Sequence, residues 1–88
     1  MNLKKELDEL TESLKQQRGE IHLQIHLASM EAKQEWQKAE KNWNKFVDSM
    51  VVVTDESKEA SAELIHTTKI IGDELKETYK RISERLGE

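Results

Sequence analysis

Residues 21–50 read IHLQIHLASMEAKQEWQKAEKNWNKFVDSM. On a helix turning about 100° per residue, Ile21, Ile25, Ala28, Ala32, Trp36, Ala39, Trp43, Phe46 and Met50 fall on one side. Toward the N-terminus, Leu3, Leu7, Leu10 and Leu14 extend the same stripe, with Gln17 filling one turn. The whole set spans an arc of roughly 80°. Two separate helices have no need to share a phase, so the stripe predicts one long helix over about 2–50. It would be about 70 Å long at 1.5 Å per residue, with Gly19 as the place for a kink or break.

The next residues supply a stop. Val51, Val52 and Val53 are β-branched and weak in helices, and Thr54 or Asp55 can cap a new start. Asp55 and Glu56 suit the positive end of a helix dipole. The spacing predicts a turn over about 51–55 and a second helix over about 56–86. Its stripe is Leu64, Thr68, Ile71, Leu75, Tyr79, Ile82 and Leu86. Arg81 and Arg85 suit its C-terminal end, and Gly87 can stop it.

Facing the two stripes gives an all-α, coiled-coil-like antiparallel hairpin whose first helix is the longer. In this register Ala28 faces Tyr79, Ala32 faces Leu75, and Trp36 faces Ile71. Leu3, Leu7, Leu10 and Leu14 then overhang without a partner. A second short stripe, Leu23, Leu27 and Met30, lies on the opposite face. A lone amphipathic helix of the overhang's length is marginal in water. Burial between copies of the chain, a dimer above all, is the favoured expectation. The alternative is a break at Gln17–Gly19 that folds Leu14, Leu10 and Leu7 back onto Leu23, Leu27 and Met30. Either way Leu3, Leu7, Leu10, Leu14, Leu23, Leu27 and Met30 are the candidate interface, to a second copy or to another protein.

Composition narrows the function. The 88 residues make at most one domain, and no Cys is present to form a disulfide or a thiolate metal site. That absence favours a reducing cytosol. Met1 to Leu10 carries five charges and no apolar run follows, so a signal peptide is not expected. The longest apolar run, Met50 to Val53, is too short to cross a bilayer. A net charge of −4, from 14 basic and 18 acidic residues, disfavours nucleic acid as a partner.

Sites for chemistry are few. His22 and His26 stand four apart on a helix face, a spacing that can chelate a metal ion. Leu23 occupies the place where a zinc protease needs Glu, so two surface histidines are expected rather than a metal centre. Trp36 and Trp43 could stack on a ligand, but their phase assigns them to the core. Lys38, Lys41 and Lys45 line one face, with Glu35 and Glu40 interleaved, which reads as a solvated surface. No Gly-rich phosphate loop and no nucleophile–base set can be assembled. The expectation is a protein that is not an enzyme and needs no cofactor. An amphipathic helix lying on a membrane surface is a rival reading. Glu6, Asp8, Glu9 and Glu12 oppose it, since such helices carry Lys and Arg on their polar face.

The run LQIHLASMEAKQEWQKAEKNW, Leu23 to Trp43, together with IIGDELKETYKRI, Ile70 to Ile82, resembles a loosely defined family of small bacterial coiled-coil proteins. They are grouped as stress-response proteins after a cyanobacterial member. The resemblance covers about half the chain and implies a cytoplasmic helical protein with a stress role. It carries no catalytic residues with it.

Overall fold

Three helices carry the chain, where the sequence predicts two. The computed structural model describes residues 3–55, 57 and 59–86. Helix α1 spans Leu3–Gln24, a short 3-10 turn covers Ile25–Leu27, α2 spans Met30–Thr54 and α3 spans Ala62–Leu86. No strand occurs among the described residues, so the all-α expectation holds. The expected helix over 2–50 is two helices, and the longest dimension is 44 Å rather than about 70 Å.

The break falls at Ile25–Ser29, not at Gly19. Gly19 sits inside α1 with a helical neighbour on either side. Ala28 and Ser29 are extended, with ψ of 166° and 162°. Ser29 caps α2, its hydroxyl accepting a hydrogen bond from the Ala32 amide at 3.2 Å. Its carbonyl already accepts from Lys33 N at 3.0 Å. Glu31 adds a negative charge in the first turn of α2, where the helix dipole favours one.

The reason for the break lies in what it buries. Leu7, Leu14 and Ile21 are almost wholly inside, and Leu10 and Ile25 pack against the core. At about 1.5–3 kcal/mol for each fully buried side chain, those first three contribute roughly 5–9 kcal/mol. A straight helix would leave Leu7 and Leu14 in water, at a gain of only the few backbone hydrogen bonds lost at the corner. The sequence reading of an overhang without a partner is therefore corrected. Leu7 and Leu14 find their partners within the same chain. The side chain of Leu3 lies outside the described residues.

The helices run up, down and up. Arg18 meets Glu40, and His22 meets Trp36, so α1 and α2 are antiparallel. Gly72 lies beside Phe46 and Arg85 reaches Glu31 and Glu35, so α2 and α3 are antiparallel as well. Leu10 lies beside Gly72, while Ile21 lies level with Ser83, so α1 and α3 are parallel. Each helix buries residues seven apart: Leu7, Leu14 and Ile21; Ala32, Ala39, Phe46 and Val53; Thr68, Leu75 and Ile82. That repeat is the seam of a coiled coil.

The same repeat explains an error of register. Trp36 stacks near Tyr79, with ring centroids 6.1 Å apart, instead of facing Ile71. The slip is about two turns. A pattern that repeats every seven residues looks the same after moving by one repeat, so phase alone does not choose the layer.

The second connection also moves. Val51, Val52 and Val53 are helical, and α2 continues to Thr54. Asp55 does not start a new helix; it is the C-cap of α2, its amide donating to the Val52 carbonyl at 3.4 Å. Its carboxylate accepts from the Ser57 amide at 2.9 Å and the Ser57 hydroxyl at 2.6 Å. These two bonds hold the Asp55 carboxyl below its ordinary range, the side-chain bond contributing most. Helix α3 starts at Ala62 rather than near residue 56, and Ser61 caps it by accepting from the Leu64 amide at 3.1 Å. Glu56 and Gly87, expected at helix ends, lie outside the described residues.

Candidate interaction surface

The fold-back consumes one leucine stripe and exposes the other. Leu23, Leu27 and Met30 are 74%, 82% and 75% exposed. They flank the corner between α1 and α2, where the off-phase apolar residues of the sequence come to lie. Leu7 and Leu14, from the same candidate interface, are buried, and Leu10 is half-buried. The fold therefore splits the six described side chains of the expected interface into a core part and a surface part. The alternative pairing of Leu7, Leu10 and Leu14 with Leu23, Leu27 and Met30 does not form. The former set faces α3 and the core, whereas the latter faces outward.

Beside the corner runs a groove of about 360 Å³ lined by Gln24, Leu27, Ala28, Ser29, Arg85 and Leu86. A second hollow, bordered by Glu20, Ile21, Gln24, Ser83 and Leu86, adjoins it through Gln24 and Leu86. The end of the bundle thus combines projecting apolar side chains with a recess. Arg85 is held there by Glu31 and Glu35, each at 3.5 Å.

No group of three or more His, Asp or Glu side chains placed to hold an ion occurs among the described residues. His22 lies against Trp36, with ring centroids 6.2 Å apart and planes tilted by 42°. His26 is exposed in the 3-10 turn, and His66 is exposed on α3. Trp43 is buried and Trp36 is half-buried, both packed with the core.

A polar cluster that sequence reasoning missed lies across the bundle. The Arg18 guanidinium donates to both Glu40 oxygens, at 2.8 and 2.7 Å, and sits 5.5 Å from the centre of the Trp43 ring. Its hydrogen bond to Glu40 raises the Arg18 pKa, burial opposing in part. Tyr79 is fully enclosed, and its pKa is pushed far above the usual value, by burial first and by Glu40 second. Nothing in the spacing of Arg18 and Glu40 signals a pair, because they meet only after the fold-back.

Pairing also changes the lysine face. Glu35 and Glu40, interleaved with Lys38, Lys41 and Lys45 in the sequence, turn toward Arg85 and Arg18. The three lysines remain exposed on α2. As for membranes, no helix among the described residues is long and apolar enough to cross one. The apolar side of α1 is packed inward, so Leu7, Leu14 and Ile21 would have to leave the core to enter a bilayer surface.

Comparison with known proteins adds no relative to this geometry: no family model, no curated protein and no solved structure matches the chain.

Proposed function

We propose that this chain is a non-catalytic helical interaction protein whose binding surface is the apolar corner of Leu23, Leu27 and Met30. One observation carries the reading. Three large apolar side chains at one corner stand at least 74% exposed, while the other leucines whose side chains are described are enclosed far better. Contiguous exposed apolar surface on a small protein marks a place where something binds. The Ser29 cap at the start of α2 fixes the backbone turn at the corner, which lowers the ordering cost of association. The resemblance to bacterial stress-response coiled-coil proteins supports a cytoplasmic setting and a stress-linked role for that binding.

An environment-sensitive apolar dye tests the surface directly. The wild type is expected to bind it, and Leu23→Glu with Leu27→Glu is expected to abolish most binding without loss of helicity. Equal dye binding by the double variant would place the adhesive surface elsewhere and end this reading.

A further inference from the structure

We infer that a polar layer built from Gln17 and Tyr79 fixes the register of α3 against the other two helices. The seam of the bundle repeats every seven residues, so apolar phase is satisfied again after a slip of one repeat. Phase therefore leaves the choice of layer to something else.

Contacts between α1 and α3 show which residues share a level. Leu10 lies against Gly72. Ser13 borders one hollow with Lys76, and Glu20 borders another with Ser83. The two helices are parallel and advance together. One repeat beyond the Leu10–Gly72 level, Gln17 is therefore level with Tyr79. Gln17 fills the turn of the α1 stripe between Leu14 and Ile21, where an apolar side chain would continue the seam.

Two polar atoms at that level are enclosed with no hydrogen-bond partner among the described residues. One is Gln17 Oε1, which only accepts, and the other is the Tyr79 hydroxyl, which can donate. The phenol also lies near enough to Glu40 and Arg18 to feel both charges. Arg18 follows Gln17 on α1 and grips Glu40 on α2. Four polar side chains from three helices thus gather in one slice of an otherwise apolar core.

A slip of α3 by one repeat, about 10 Å, breaks the layer up. Gln17 then meets Gly72 or Leu86, neither of which has a side-chain donor, and the phenol leaves Glu40 and Arg18. A polar group buried against hydrocarbon is worse placed than one buried among other dipoles. The layer acts as a single polar residue in a coiled-coil seam does, selecting a register rather than adding stability. The choice matters at the surface. In this register Arg85 and Leu86 line the groove beside Leu27. With Gly72 at the level of Gln17, Thr78 and Tyr79 would stand there instead.

The chain has no Cys, so introduced cysteine pairs report the register cleanly. Glu20→Cys with Ser83→Cys borders one hollow and should be joined within one chain by a short thiol-reactive crosslinker. Glu20→Cys with Lys76→Cys, and Ser13→Cys with Ser83→Cys, report the two slips and should stay unjoined. In a Gln17→Leu, Tyr79→Phe background, joining of a slipped pair should rise roughly tenfold, the factor that one badly placed buried polar group is worth. Helicity should be kept. Crosslinking still confined to the first pair in that background would show that the register is chosen without the layer, and the inference would fall. Slipped pairs that join as readily as the first in the otherwise unaltered chain would also overturn it. Loss of helicity in the double variant would overturn it as well, because the layer would then hold the fold together instead of selecting its register.

Discussion

The guanidinium of Arg18 on α1 grips the carboxylate of Glu40 on α2 through two parallel hydrogen bonds, 2.8 Å from Nε to Oε1 and 2.7 Å from Nη2 to Oε2. The pair joins residues 22 apart in the chain and lies beside the Trp43 ring. A forked contact of this kind is directional as well as charged, so it helps to set how α1 lies along α2.

Because both side chains are about one-third exposed, solvent weakens the attraction. Arg18→Ala is expected to cost about 1 kcal/mol, more than a typical surface pair, through lost packing as well as lost charge. Arg18→Lys should recover only part of that, since an ammonium cannot fork. A double-mutant cycle with Glu40→Gln in urea should show a coupling of about 0.5–1 kcal/mol. Additive effects would mean the pair is geometric only.

The two described glycines should respond in opposite directions. A Cβ on Gly72 would lie 2.5 Å from Leu10 Cδ2 and 2.9 Å from Phe46 Cε2. Leu10 is half-buried and can yield, but the Phe46 ring is enclosed and cannot. Gly72→Ala is expected to destabilise by about 1–2 kcal/mol, after the helix-propensity gain of about 1 kcal/mol is offset. Gly19→Ala meets no such obstacle and should stabilise the monomer by up to about 1 kcal/mol. Thermal melts of the two variants, run side by side, check the contrast.

Ser29 is the local anchor of the corner. Ser29→Ala removes the acceptor for the Ala32 amide and should cost about 1 kcal/mol. The change should also raise amide exchange at residues 30–33 more than elsewhere in α2. Uniform exchange along α2 would show that packing alone holds the start of that helix.

Tyr79 ties stability to high pH. Its hydroxyl is buried and finds no hydrogen-bond partner among the described residues, so Tyr79→Phe should change stability at neutral pH by less than about 1 kcal/mol. Burial raises the pKa of the folded phenol above its ordinary value of about 10. The folded state then holds its proton more tightly than the unfolded state. The stabilisation is fully present below pH of about 10 and is lost as pH rises past it. Wild type should therefore lose stability relative to Tyr79→Phe only above that pH. Chemical denaturation at neutral and alkaline pH, with phenolate absorbance followed in parallel, provides the readout. A phenol that ionises in the folded protein at its ordinary pH would contradict the burial.

Much of the core was legible before any folding. Ala32, Ala39, Trp43, Phe46 and Met50 belong to the stripe read from residues 21–50, and all five are buried. Leu75, Tyr79 and Ile82 belong to the stripe of the last helix, and they are buried too. The corner was visible only as an irregularity. Leu23, Leu27 and Met30 break the phase, and Ser29 followed by Glu31 is a helix start that the continuous stripe concealed. Phase continuity proved a poor guide because both α1 and α2 present a seven-residue seam to the same core. Their stripes agree whether or not the helix between them is broken.

Local residue chemistry and seven-residue spacing determined by themselves that this chain is helical and which faces of its helices are apolar. Those properties depend on neighbours within a few turns, where propensity and period act directly. The tertiary structure decided where the long stripe divides, which register α2 and α3 adopt, and that Arg18 meets Glu40. It also decided that Leu7 and Leu14 go inside while Leu23 and Leu27 stay out. These are choices between arrangements with nearly the same local energy. They turn on total apolar burial and on contacts between residues far apart in the chain, which no local window contains.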